Sequence, residues 1–326
     1  MPKYPILKHK NLPYLLPGLV LLTAISVYIF SQLNSYSQPE TAKFLQPAPA
    51  SRDYRAPVVT TAPSEKTKIT LLGDIMLGRT VMTTTHSKNE PLYPVQYVKE
   101  PLNQSNIVIA NLENPVIQDC PPHTTGYKFC STPDMLKNLQ AANISVVSLA
   151  NNHSRNYGEQ GLQETLEHLQ SFSILATGLD NLITKSVNNH QFGFLGFNYI
   201  ASGPDQNDID LVTSSDSKVD TLIASIHWGH EYTATASALQ RKWAKQLTDS
   251  GVDVIFGHHP HWIQDSQMIN DKPVYYSLGN FIFDQMWSEK TRRGLVVDLI
   301  YQDKELIDQK TSTVFQENWA QPKFTN

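Results

Sequence analysis

From residue 67 onward short apolar runs alternate with stretches of helical period, and five of the runs end on residues able to bind a metal ion or move a proton. The runs are ITLLGD (69–74), NIVIANLE (106–113), ISVVSLANN (144–152), TLIASIHWG (221–229) and VDVIFGHH (252–259). They end on Asp74, on Glu113, on Asn151, Asn152 and the following His153, on His227, and on the cluster His258, His259 and His261. Short apolar runs separated by helices are the pattern of an α/β sheet. If the strands are mostly parallel, their carboxyl ends share the edge where open α/β sheets form a binding crevice, and the polar residues converge there. Singly each signal is weak, because Asp after a strand is commonly a turn residue and Asn or His commonly caps the next helix. Their recurrence at successive strand ends is what points to a site.

The intervening stretches read as helices. Thr132 is placed to cap one, with Pro133 in its first turn and Leu136 and Leu139 on one face. Leu162, Leu166 and Leu169 mark a second, and Leu239, Trp243 and Leu247 a third that stops at Gly251. PVYYSLGNFIF, GLVVDLIY and STVFQ read as later strands without long helices between them. The sum is a mixed sheet or two packed sheets.

Three of the 11 histidines fall within residues 258–261. His259 precedes Pro260, which biases it toward extended backbone. In an extended segment His259 and His261 point one way and His258 the other, so the first two are expected ligands and His258 a neighbour or substrate contact. Imidazoles mixed with carboxylate and amide oxygens suit Mn, Fe or Zn, whereas an all-oxygen set would suggest Ca or Mg. Two such ions about 3.5–4 Å apart, bridged by a carboxylate, would activate a water for attack. His153 is then placed to protonate a leaving group or to hold a substrate oxygen.

At these residues the sequence resembles the CapA family of capsule and poly-γ-glutamate synthesis proteins, whose domain is similar to the calcineurin-like metallophosphoesterases. The resemblance lies in GDIMLGR (73–79), NLENPV (111–116), SLANNHSRNYGEQGL (148–162), HWGHEY (227–232), GVDVIFGHHPHWIQ (251–264) and YSLGNFIFDQ (276–285). It implies an α/β layered sandwich of two packed mixed sheets flanked by helices. It further implies that Asp74, Glu113, Asn152, His227, His259 and His261 ligate two divalent ions and that His153 is the catalytic histidine. Arg79, Glu231 and Asn280, with Asn151 and His258, would contact substrate or support the ligands; ordinary salt bridges and turn hydrogen bonds are the rival reading for the first three. Two departures from the phosphoesterase pattern stand out. Ile75 and Met76 follow Asp74 where a second ligand histidine is usual, and Glu113 replaces the bridging aspartate, so the first metal position is expected to be weaker or differently filled. The activity implied is that of a metal-dependent hydrolase or transferase on a phosphoester or an anionic polymer such as poly-γ-glutamate. The alternative is a non-catalytic accessory subunit associated with polymer synthase or export proteins.

The N-terminus departs from the globular average. Residues 1–12 carry Lys3, Lys8 and Lys10, and residues 13–30, PYLLPGLVLLTAISVYIF, contain no charge and are just long enough to span a bilayer as a helix, although Pro13 and Pro17 could shorten it. No Lys or Arg follows until Lys43, which places the N-terminus in the cytoplasm and the remainder outside. The expected organisation is therefore a basic flank (1–12), a transmembrane signal anchor (13–30), a Pro/Ser/Thr-rich tether (31–66) and a catalytic-size domain (67–326). A cleaved signal peptide and a secreted domain are the rival, although the exit SQLNSYSQ shows no small-x-small cleavage pattern. With 17% charged residues and a net charge of -4, the chain has no electrostatic reason to bind nucleic acid. Outside the cytoplasm Cys120 and Cys130 are most simply a disulfide closing a short loop, contributing about 2–3 kcal/mol and expected to be structural. A metal site or a catalytic thiol is the alternative, but neither cysteine sits in a CxxC pattern. Protease added to intact spheroplasts is expected to degrade the domain, and full protection would contradict the topology.

Overall fold

The computed structural model describes residues 65–325; the 1–12 flank, the 13–30 run and nearly all of the tether lie outside the described residues. Among the described residues no helix is long and apolar enough to cross a membrane. In chain order the strands are β1 (Thr67–Ile75), β2 (Ile107–Leu112), β3 (Ile144–Ser148), β4 (Leu175–Thr177), β5 (Ile183–Val187), β6 (His190–Asn198) and β7 (Thr221–His227). They continue with β8 (Val254–His258), β9 (Ser266–Ile269), β10 (Lys272–Tyr275), β11 (Asn280–Ile282), β12 (Arg293–Gln302), β13 (Glu305–Asn318) and β14 (Gln321–Phe324). The main helices are α1 (Arg79–Lys88), α2 (Leu136–Ala141), α3 (Gly158–Ser171), α4 (Gln206–Asp216) and α5 (Ala238–Asp249).

Two mixed sheets result. The first runs β14-β13-β12-β1-β2-β3-β4 with β11 beside β1, and the second runs β5-β6-β7-β8-β10-β9. Strands β1 to β4 are mutually parallel, as are β6, β7, β8 and β10, while β12 joins β1 antiparallel. Alternation along the strands explains why the sheets stack. Ile69, Leu71, Ile107, Ile109 and Val146 of the first sheet bury one face against Phe192, Phe194, Ile223, Val254 and Phe256 of the second. Each of those fully buried phenylalanines contributes about 1.5–3 kcal/mol. The opposite faces carry the helices. Leu72, Val108, Ala110 and Val147 pack with Val81, Leu136 and Leu162, and Leu195, Leu222, Ala224 and Ile255 pack with Val212, Ala244 and Leu247. The architecture is helix, sheet, sheet, helix.

The five functional runs thus do not share one sheet edge. Three belong to the first sheet and two to the second, and their carboxyl ends meet because the sheets stack face to face. Three other expectations are adjusted. Thr132 precedes a 3₁₀ turn at Pro133–Met135 rather than a direct α start and makes no side-chain cap bond, although Leu136 and Leu139 are buried as expected. On α5 Leu239 is exposed, and the buried stripe is Gln240, Ala244 and Leu247. It shifts because Gln240 closes the capping box on Ser237 and donates to Gln264 Oε1 at 2.9 Å. Residues 172–220, for which the sequence pattern assigns no element, supply β4, β5, β6 and α4, the last held at its start by a reciprocal Asp205–Asp208 capping box.

Candidate metal centre

Strand register builds the site in two rows. Asn280, Asp74, Asn111 and Ser148 are successive partners across β11, β1, β2 and β3, and His227 partners His258 across β7 and β8. Residues 276–279 run close beside both rows, where a glycine precedes the key side chain of each. A Cβ on Gly73 would collide with the Gly279 carbonyl, and one on Gly257 with the Tyr276 carbonyl.

Asn111 lies at the centre, fully buried. Its amide nitrogen donates to Asp74 Oδ1 at 2.9 Å and to Glu113 Oε1 at 3.0 Å, while its oxygen accepts from Asn151 Nδ2 at 3.0 Å. Asp74 Oδ1 also accepts from His258 Nδ1 at 2.9 Å, and Asp74 Oδ2 lies 3.3 Å from His261 Nδ1. His261 Nδ1 is 2.9 Å from Asn280 Oδ1, and that amide is oriented because its nitrogen donates to the Thr291 carbonyl at 2.8 Å. When the His261 ring is neutral its proton therefore sits on Nδ1, and Nε2 carries the lone pair that a metal ion would take in place of a second proton. On the other side His227 Nε2 is 2.9 Å from Asn152 Oδ1, and His227 Nδ1 is 3.8 Å from Glu113 Oε1. The His259 ring is centred 4.9 Å from that of His227.

The charges are divided unevenly. Burial alone would raise the Asp74 carboxyl, but hydrogen bonds and charge from His258 and His261 outweigh it and hold Asp74 well below the usual range. Glu113 is pushed well above its usual value by burial and then by repulsion from Asp74. His261 is raised to about 9: burial opposes protonation, but Glu113 and Asp74 outweigh it. His227 is held well below its ordinary value by burial and by His259, and His259 is pushed down to about 4 by burial and by His261. Burial also lowers His153.

The histidine cluster departs from the extended-segment reading. His258 is the last residue of β8 and does not point away: it is fully buried on Asp74. Beyond it His259 and His261 have φ of 91° and 55°, so the chain turns tightly in the left-handed region and strand alternation no longer governs the side chains. All three imidazoles converge. Asn151 faces inward, donating to Asn111 Oδ1 and to the Leu112 carbonyl, and its Oδ1 accepts from the His153 backbone. Glu231 is exposed, next to Tyr232, whose ring centre is 6.2 Å from that of His261. Arg79 is committed to a salt bridge with Asp284 and donates to the Gly126 carbonyl at 2.8 Å. Cys120 and Cys130 form the expected disulfide, so their sulfurs are not available as metal ligands beside His123. Asn111 escaped the sequence reading. Its one signal is an amide two residues before Glu113 inside an apolar strand, hence on the same face.

Asp74, Glu113 and His261 each offer a donor atom, all within 4.8 Å of one another, a set able to hold a metal ion. The fit has an independent mark: Glu113 Oε2 is buried without a hydrogen-bond partner. Nitrogen and carboxylate donors together suit a borderline divalent cation. The family model of bacterial capsule synthesis proteins, PGA_cap, matches residues 68–285. The chain belongs to that family. The PGA biosynthesis protein CapA of Bacillus subtilis (strain 168) is 30% identical over 269 residues, covering 74% of this chain and 69% of that protein. A probable polyglutamine synthesis accessory protein of Mycobacterium tuberculosis (strain CDC 1551 / Oshkosh) is 25% identical over 184 residues, covering 47% of this chain and 48% of that one. Among solved structures a hypothetical protein from Thermus thermophilus aligns with a TM-score of 0.51 at 13% identity, over 76% of this chain and 98% of that one, a likeness of fold alone.

Because His258 orients Asp74, His258→Ala is expected to weaken Mn²⁺ binding about 10- to 100-fold without abolishing it. Calorimetric titration checks this. Unchanged affinity would restore the reading in which His258 points away.

Proposed function

We propose that this family member is a membrane-anchored, extracytoplasmic, metal-dependent hydrolase or transferase acting in capsule or poly-γ-glutamate synthesis. The observation that carries the reading is Glu113, a fully buried carboxylate with one unpartnered oxygen, enclosed by Asp74, His227 and His261. Asp74, Glu113 and His261 would hold one divalent ion, and Asn152, His227 and His259 with Glu113 the second. When bound, such ions supply Lewis-acid charge at a phosphoryl or carbonyl oxygen.

The remaining work falls to side chains. His153 sits partly buried beside Asn152 with its backbone fixed by Asn151. It is the group we assign to protonate the leaving oxygen or nitrogen or to hold the developing anion. Burial lowers its imidazole and favours the neutral ring, which fits holding a substrate oxygen through an N–H; as a proton donor it would have to take up its proton with the anionic substrate in place. Asn111 and His258 hold Asp74 and Glu113 in place before substrate arrives, so no reorganisation is needed at the moment of reaction. The 13–30 run would keep the domain at the membrane, where polymer synthase or export proteins would be its partners. The substrate class is a phosphoester or an anionic polymer such as poly-γ-glutamate. A second reading, an accessory subunit without turnover, is favoured by the mycobacterial relative, which is described as a probable polyglutamine synthesis accessory protein.

The full chain in detergent is expected to bind about two equivalents of Mn²⁺, Fe²⁺ or Zn²⁺ and to hydrolyse a generic phosphodiester or cleave γ-glutamyl polymer. His259→Ala or His261→Ala should strip metal, whereas His153→Ala should retain it and lose about 10²- to 10⁴-fold in rate. Metal binding without turnover, together with co-purification of a synthase, would support the accessory reading. No metal and no turnover would end the first.

A further inference from the structure

The two cysteines close residues 120–130, with Cα atoms 5.8 Å apart, and the segment they close ends against the candidate proton donor. Residues 121–128 form neither helix nor strand and, His123 apart, are exposed, whereas Phe129 and Cys130 are buried. The Phe129 ring stacks on His153 with centroids 4.1 Å apart and planes inclined by 26°. Its backbone N–H donates to Asn156 Oδ1 at 2.7 Å, and the same oxygen lies 3.3 Å from His153 Nδ1. The ring and the backbone of one residue therefore fix both the face and the edge of the imidazole. Arg79 ties the rest of the loop down: its guanidinium carbon is 4.6 Å from the Phe129 ring centre while its Nη1 holds the Gly126 carbonyl.

We propose that Phe129 is a positioning residue for His153, and that the Cys120–Cys130 bond keeps it in place. The proposal rests on the reading of His153 as proton donor. An imidazole on a short connection after β3 has rotamers that take it away from Asn152, and a ring stacked on one face with a shared acceptor at Nδ1 removes them. Misplacement of a reacting group by about 1 Å can cost on the order of 10²-fold in rate. The disulfide supplies what the loop lacks, since its exposed portion has no strand or helix to hold Phe129 down. The bond would then bear on chemistry directly, and not only on stability as its short loop led us to expect. Reduction would lower turnover before it melts the fold, so the protein would reach full activity only after oxidation.

The test uses the full chain. Phe129→Leu keeps apolar bulk but has no ring face. It should lower kcat about 10- to 100-fold with KM, bound metal and Tm nearly unchanged, and Phe129→Tyr should recover most of the loss. Reduced protein and the Cys120→Ser/Cys130→Ser double variant should show the same loss of kcat with bound metal retained at temperatures well below their Tm, which loss of the bond itself lowers. Amide hydrogen exchange reads positioning without turnover: protection across 151–156 should fall in Phe129→Leu and in reduced protein while that of 254–261 is retained. Wild-type protein without turnover would remove the hydrolase reading, and the exchange measurement would then decide the positioning alone. Unchanged exchange at 151–156, or a wild-type kcat in Phe129→Leu, would overturn the proposal.

Discussion

Two carboxylates buried side by side, Asp74 and Glu113, and joined through the single amide of Asn111, are the constraint around which the rest is arranged. Removing a charged carboxylate from water costs several kcal/mol per ion, and a second like charge nearby adds to it. The protein offsets the cost for Asp74 with His258, His261 and Asn111, and leaves Glu113 short by one partner. The proton distribution follows. Asp74 is ionised, Glu113 is driven toward its neutral form, and His261 is drawn toward its charged form. A divalent cation resolves this conflict more completely than protons do, because it satisfies both carboxylates at once. Metal binding should therefore displace protons and weaken as pH falls, since Glu113 must ionise to ligate.

The fold's contribution is to bring that pair against histidines from another sheet. Stacking β1, β2 and β3 on β7 and β8 sets the Asp74 row against the His227 row, and the tight turn after β8 folds His259 and His261 back over the junction. The segment 276–279, hydrogen-bonded to both β1 and β8, accounts for the glycines at 73 and 257, where its backbone comes so close that a methyl group does not fit. A loop outside both sheets then completes the surround by laying Phe129 on His153. Sheet packing thus assembles the candidate ligands, and a disulfide-closed loop covers His153, the proposed proton donor.

Much of this was legible in the sequence because it rests on local pattern. The five functional runs are strands, and the polar residues at their ends do converge, because strand termini are where alternation gives way to turn chemistry. What the sequence concealed was tertiary. That the strands divide between two sheets is fixed by which apolar faces stack, and single runs such as VDVIFGHH contain nothing that distinguishes the choice. The orientation of His258 was misread because the rule for the residue before proline was extended through a segment that turns at His259 and His261. Nothing in the sequence pattern singles out Phe129, and Asn111 is marked only by sharing a strand face with Glu113. Their roles arise from residues at 74 and 153, to which no periodicity points. The stretch 172–220 was hidden for another reason: Gly193 and Gly196 interrupt the apolar run of β6, and α4 depends on its cap more than on an apolar stripe.

The central claim is that a divalent cation completes the buried carboxylate pair. An anomalous-difference map from crystals of the protein grown with Mn²⁺, recorded near the manganese absorption edge, tests it most directly. The account predicts a peak in bonding contact with Glu113 Oε2 and flanked by Asp74 and His261. Ordered carboxylates with no anomalous density between them, at saturating Mn²⁺ and neutral pH, would contradict it.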